Sequence, residues 1–168
     1  MAEIPLHGKR GAGKVALCDE ADLTLLSEYR WHLSPGGYPR TYWRKEGVRS
    51  STLEMHRLLR DPKGGYYKDH INGDPLDNRR ANLRPCTQKE NAYNRQLNRN
   101  STTGFKGVCR RGTRFAATIH RDGEQIFLGL YDRAVLAAAA YNGAARALFG
   151  RFARLNELPP EAVDHAAD

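Results

Sequence analysis

Residues 69–91 read DHINGDPLDNRRANLRPCTQKEN. An acid stands directly before a histidine, and an Asp/Asn-rich segment with Gly73 and Pro75 follows. Asx turns account for much of DPLDN, because short amide and carboxylate side chains bond their own backbone two residues on. They do not account for the Asp-His pair or for the spacing of Asn82 and Asn91. Neighbours in a strand point to opposite faces, so Asp69 and His70 act together only where a strand ends and turns into the loop. Gly73 and Pro75 put such a break there. Outward from the loop, YYKDHI reads as a strand and LRPCT as a short extended run. Thr87 with Glu90 three residues later is a capping box, so a helix is expected from there. The predicted order is strand, loop, strand, helix.

The residue types suit phosphodiester hydrolysis. The negative phosphate repels nucleophiles and its alkoxide leaves poorly; a divalent ion addresses both. A histidine takes a proton from water near neutral pH. Magnesium prefers oxygen, often from one or two protein groups plus waters and phosphate. Asp69 offers a carboxylate, and Asn82 and Asn91 offer amide oxygens.

DHING, DNRRANL and KEN resemble the HNH endonuclease motif, the ββα-metal finger. The match is to the phage and intron-encoded homing branch, in which the last motif residue is Asn. Asn82 lies twelve residues after His70 and Asn91 nine further on. The resemblance implies that His70 is the general base, that Asn82 orients it, and that Asp69 and Asn91 hold the metal. Magnesium is the implied ion, with manganese the other hard candidate. His56 also matches a family position and is read as structural or phosphate-contacting.

Before this motif, residues 1–60 alternate short apolar runs with turns. KVALCD reads as a strand, and ADLTLLSEY as a helix that Asp19 could cap. RWHLS and YPRTYWR form a hairpin about Pro-Gly-Gly, and LEMHRLL is a short helix or strand. HGKRGAGKV nearly spells a phosphate-binding loop, but Val15 stands where a hydroxyl should ligate magnesium. With only seven residues before it, no preceding strand is expected, and nucleotide hydrolysis is rejected.

After the motif, residues 94–104 read as a polar linker whose Arg95 and Arg99 are placed to touch phosphates. FKGVCR, RFAATIHR and QIFLGLY then read as strands, with RDGE as a turn between the last two. Asp132 is expected to cap an alanine-rich helix ending near Gly150, its small side chains allowing close packing on a sheet. KGV, FAATI, FLGLYD, AAAAYN and the closing LN resemble the plant Apetala-two/ethylene-response-factor DNA-binding domain. That resemblance implies a three-stranded antiparallel sheet in the major groove, backed by one helix. Val108, Ala116, Ile119 and Leu128 are the expected helix-side positions. Lys106, Arg110, Arg111, Arg114, Thr118, His120 and Phe127 are the candidates for the DNA face. Phe127 stands where the plant family usually has Trp, and Cys109 where it has Arg.

The expected fold class is α+β: a ββα-metal nuclease module with N-terminal mixed strands, then a three-stranded antiparallel sheet packed on one helix. The expected domains are 1–93 (strands 1–60, motif 61–93), a linker 94–104, a DNA-binding domain 105–156 and a frayed tail 157–168. Twenty-seven basic against nineteen acidic residues give a formal charge of +8, and a pI near 9.6 points to a polyanion. Double-stranded DNA is the expected partner, bound by a monomer, with no nucleotide cofactor and no membrane. No apolar run is long enough to span a bilayer. The N-terminus lacks a secretory h-region, and three scattered cysteines suit a reducing cytoplasm, bacterial or phage-infected. The reading is a metal-dependent DNA endonuclease of homing type. The rivals are a DNA-binding regulator with an inert nuclease module and an RNA-binding structural protein.

Overall fold

A computed structural model describes residues 1–43, 51–59, 67–98 and 100–160. The chain divides into two compact units, Met1–Asn91 and Ala92–Asp168. It is of mixed α+β class, with four small antiparallel sheets among the described residues.

The first unit begins with a hairpin of β1 (Ala2–Pro5) and β2 (Val15–Cys18). A strand therefore does precede the glycine-rich loop, contrary to expectation: Ala2 and Ile4 alternate inward and bury against Ala16 and Cys18. It pairs antiparallel with the strand that follows, and no helix comes between, unlike the strand–loop–helix of a phosphate-binding loop. Helix α1 (Glu20–Ser27) follows. Asp19 occupies its N-cap position but makes no side-chain cap; its carboxylate accepts from the backbone N–H of Arg80 instead, at 2.7 Å.

The Pro-Gly-Gly hairpin forms as β3 (His32–Leu33) and β4 (Pro39–Trp43), with β5 (Ser51–Glu54) on the far side of β4. Arg44 of the expected strand and Tyr66 of YYKDHI lie outside the described residues. LEMHRLL is both strand and helix, passing from β5 into α2 (Met55–Leu58). Trp31, Leu26, Met55 and Leu59 fill the core between these elements, and the Trp31 indole N–H donates to Leu26 O at 2.8 Å.

Strands β6 (Tyr67–His70) and β7 (Leu83–Cys86) pair antiparallel, His70 opposite Leu83 and Asp69 opposite Arg84. A 3₁₀ turn at Arg80–Asn82 leads into β7, and α3 (Gln88–Tyr93) follows it. The capping box forms reciprocally: Thr87 N–H donates to Glu90 Oε2 at 2.7 Å and Glu90 N–H to Thr87 Oγ1 at 3.2 Å.

In the second unit β8 (Val108–Arg111), β9 (Arg114–Arg121) and β10 (Glu124–Tyr131) form a three-stranded antiparallel sheet. Asp122 (φ 57°) and Gly123 (φ 88°) take the left-handed conformation that a tight hairpin between β9 and β10 needs. Helix α4 (Ala134–Phe149) packs on one face through Ala137, Ala138 and Ala145, all fully buried, and ends at Gly150. Gly107 (φ 74°) lies where a Cβ would fall 2.1 Å from the Tyr141 ring. Asn156 closes the unit. It accepts from Lys106 N–H and donates to Lys106 O, while its backbone exchanges bonds with the Asn142 amide.

Three expectations change here. Asp132 does not cap α4; it pairs with Arg114 at 3.0 Å. Ala116 is opposite Cys109 and Leu130, on the face away from the helix, and Ala117 packs on α4 with Val108. Register decides this, since one residue's slip exchanges the faces. Leu158, in the expected tail, packs against the Val108–Ala137 cluster; residues 161–168 lie outside the description.

Candidate active site

Asp69 and His70 end β6, and both are buried. Two backbone bonds close the loop behind them: Ile71 N–H donates to Asn82 O and Gly73 N–H to His70 O, each at 2.8 Å. The loop is then pinned to β2, with Leu17 N–H donating to Leu76 O and Asn78 N–H to Leu17 O. Within it, Asp74 N–H donates to Asn72 Oδ1 and Leu76 N–H to Asp74 Oδ1, the Asx turns expected of the sequence. Arg79 forks onto buried Asp77, and Arg80 forks onto buried Asp22 of α1.

The amide oxygen that meets the His70 ring belongs to Asn78, with Oδ1 3.3 Å from Nε2. Asn82, the residue expected to orient the ring, bonds within the loop. The Asn82 amide donates to Asp77 O at 2.8 Å and to Asn72 Oδ1 at 3.0 Å, and its oxygen accepts from Asn72 N–H at 3.0 Å. Those bonds commit Asn82 to the loop's closure. Fully buried Asn78 is drawn in by its backbone bond to Leu17. Its NH₂ donates to Pro75 O and Leu76 O, which turns its oxygen to the ring. With Asn78 Oδ1 as the acceptor, Nε2 is the ring nitrogen that donates in this contact. Burial lowers the His70 pKa, against the Asn78 bond and the charges of Asp69, Asp74 and Asp77, which raise it. The neutral, proton-accepting ring is thus favoured.

Two further rings adjoin it. His56 meets His70 edge-on at 5.1 Å between centroids, and Tyr38 lies 5.5 Å from His56 and 5.9 Å from His70. Burial, then the neighbouring His70, pushes the His56 pKa down to about 3. Among the described residues its buried Nδ1 has no hydrogen-bond partner, and Nε2 is 3.6 Å from Glu54. Burial also raises the Tyr38 pKa. Tyr38 carried no signal in the sequence; it arrives from the Pro-Gly-Gly hairpin. Arg84 was equally unmarked, and only the strand register sets it on Asp69, Nε and Nη2 reaching Oδ2 at 2.9 and 2.6 Å.

Residues 62–93 match the HNH endonuclease family. Over 95 residues the chain is 37% identical to Protein 3.8 of Escherichia phage T7, covering 55% of this chain and 77% of that one. Over 156 residues it is 29% identical to a protein of Acanthamoeba polyphaga mimivirus named uncharacterized HNH endonuclease L560, covering 89% of this chain and 78% of that one. The chain belongs to the HNH endonucleases. It is a nuclease enzyme, and enzymes of this family act on DNA and generally use a divalent metal. Hard oxygens suit such an ion; of the two expected ligands, Asp69 is buried at the end of β6 and Asn91 is exposed on α3.

In the second unit, cross-strand partners share a face. Arg111 with Arg114, Thr118 with Phe127, and His120 with Gln125 lie opposite the helix side. Phe127 is 61% exposed there. Two expected DNA-face residues do not join them. Arg110 pairs with Phe115, on the helix side of the register, and bonds Gly112 O. Lys106 turns its ammonium onto the carbonyls of Tyr93 and Arg95, both at 2.7 Å, and burial lowers its pKa to about 8. Arg95 is exposed, and Arg99 lies outside the described residues. Among the described residues, no helix is long and apolar enough to cross a membrane.

Proposed function

We propose that this nuclease is a metal-dependent DNA endonuclease of homing type, in which His70 is the general base. The observation that carries the reading is the Asn78–His70 contact, which holds the imidazole at the end of β6, where a base is needed to take a proton from water. β6, β7 and α3 then serve as the ββα-metal module, with Asp69 and Asn91 as its cation ligands. When bound, the cation, magnesium by preference, screens the phosphate and stabilises the leaving 3′ oxygen. Asn78 holds the imidazole, and Asn82 holds the loop that presents it. The products are a 5′ phosphate and a 3′ hydroxyl. One such site per chain suits a nick by a monomer in the cytoplasm.

The second unit serves as an Apetala-two-like reader of double-stranded DNA. Its support is a three-stranded sheet backed on one face by α4, with Arg111, Arg114, Thr118, His120 and Phe127 on the other. The major groove admits such a sheet, whereas the deep groove of A-form RNA does not.

A plasmid-nicking assay tests the proposal. Wild type cuts with Mg²⁺ and not with EDTA, and His70→Ala binds DNA without cutting. Cleavage by His70→Ala at the wild-type rate removes the base assignment. Run-off sequencing over a pool of targets reads site and strand choice.

A further inference from the structure

Among the described residues, three arginine–aspartate pairs fasten the nuclease loop and its strands, and one is far more enclosed. Arg79 forks onto Asp77, Nε on Oδ1 and Nη2 on Oδ2, both at 2.7 Å. Arg80 forks onto Asp22 in the same manner, Nε on Oδ2 at 2.8 Å and Nη2 on Oδ1 at 2.6 Å. Arg84 sets Nε and Nη2 on Asp69 Oδ2 at 2.9 and 2.6 Å. This pair is the most enclosed of the three. The Arg84 side chain is 11% exposed, against 42% for Arg79 and 56% for Arg80.

We propose that Arg84 is a positioning residue for Asp69: it holds the carboxylate before a divalent cation arrives and competes with that cation for it. The proposal rests on the reading of Asp69 as a metal ligand. A buried carboxylate needs a compensating charge, and β7 supplies one through the direct cross-strand pairing of Asp69 with Arg84. A cation drawn to Asp69 meets a like charge already bonded there, and that repulsion weakens its binding. The arginine keeps the ligand aligned next to His70 and in return sets the cation affinity below what the carboxylate alone would give. A lysine at this position keeps the charge but loses the planar pair of donors.

Mn²⁺ binding, read by titration calorimetry or electron paramagnetic resonance, tests this on the full chain without DNA. Thermal melting with Mn²⁺ or with EDTA is the companion measurement. Arg84→Met is expected to bind Mn²⁺ roughly tenfold more tightly than wild type, to melt lower in EDTA, and to gain more from Mn²⁺ than wild type does. Arg84→Lys is expected to fall between the two. If Arg84→Met melts lower but binds Mn²⁺ no more tightly, the arginine is only a structural partner and the proposal fails. If Arg84→Met does not fold, Arg84→Lys decides: tighter Mn²⁺ binding than wild type supports the proposal, and equal or weaker binding overturns it. Asp69→Asn separates the premise. Mn²⁺ binding of wild-type strength in that variant removes Asp69 as a ligand, whatever Arg84 does.

Discussion

Asn78 Oδ1 stands 3.3 Å from His70 Nε2, and it is Asn78 rather than Asn82 that touches the ring. The two asparagines lie in one loop and do separate work. Asn78→Ala is expected to lower the cleavage rate about 10- to 100-fold by releasing the ring, with DNA affinity retained. Asn82→Ala removes three loop bonds and is expected to cost about 1–3 kcal/mol of stability. Single-turnover cleavage and urea unfolding on both variants separate these effects; identical profiles would refute the division of roles.

His56 is buried with its pKa lowered to about 3. Its folded pKa lies below the unfolded value near 6.5, so the unfolded chain binds the extra proton. The stability it contributes is present above about pH 6.5 and is lost, by about 1.4 kcal/mol per pH unit, as the pH falls from there towards 3. His70 shifts the same way. Unfolding free energy between pH 6.5 and 4.5 is expected to fall less steeply in His56→Phe than in wild type. An unchanged slope would show that His56 is protonated in the folded state.

Arg80 ties the nuclease loop to α1 across 58 residues of sequence. Its removal leaves Asp22, only 3% exposed, without that partner. Arg80→Ala is expected to destabilise the first unit by about 1–3 kcal/mol. Arg80→Lys recovers little, because the fork is lost. Denaturant midpoints measure both.

Gly107 has φ of 74° and the Tyr141 ring where a side chain would go. Gly107→Ala is expected to cost about 2–4 kcal/mol, from the backbone conformation together with overpacking. Tyr141 near-ultraviolet circular dichroism and the melting of the second unit report it.

The register of the second sheet puts Arg111 and Phe127 on its open face and Arg110 on the helix side. Arg111→Ala is expected to weaken DNA binding and reduce the slope of log affinity against log salt by about 1. Phe127→Ala weakens binding without changing that slope, and Arg110→Ala does less than either. Fluorescence anisotropy over a salt series checks the order, and a larger effect from Arg110 would contradict it.

The sequence by itself determined what depends on neighbours along the chain. The Thr87–Glu90 box formed as read, because both partners lie within one helical turn. Pro-Gly-Gly and Asp-Gly made their hairpins because backbone conformation at those residues is a local matter. The motif DHING…KEN carried the family, because its spacing is written in the chain. Only the tertiary structure decided which asparagine meets His70, that Arg84 lies on Asp69, and that Tyr38 and His56 adjoin the base. It also decided that Ala117, not Ala116, faces the helix. These outcomes depend on strand register and on bonds between distant segments, such as Asn78 N–H to Leu17 O. Local preference is silent on both, because a one-residue shift keeps every propensity and reverses every face.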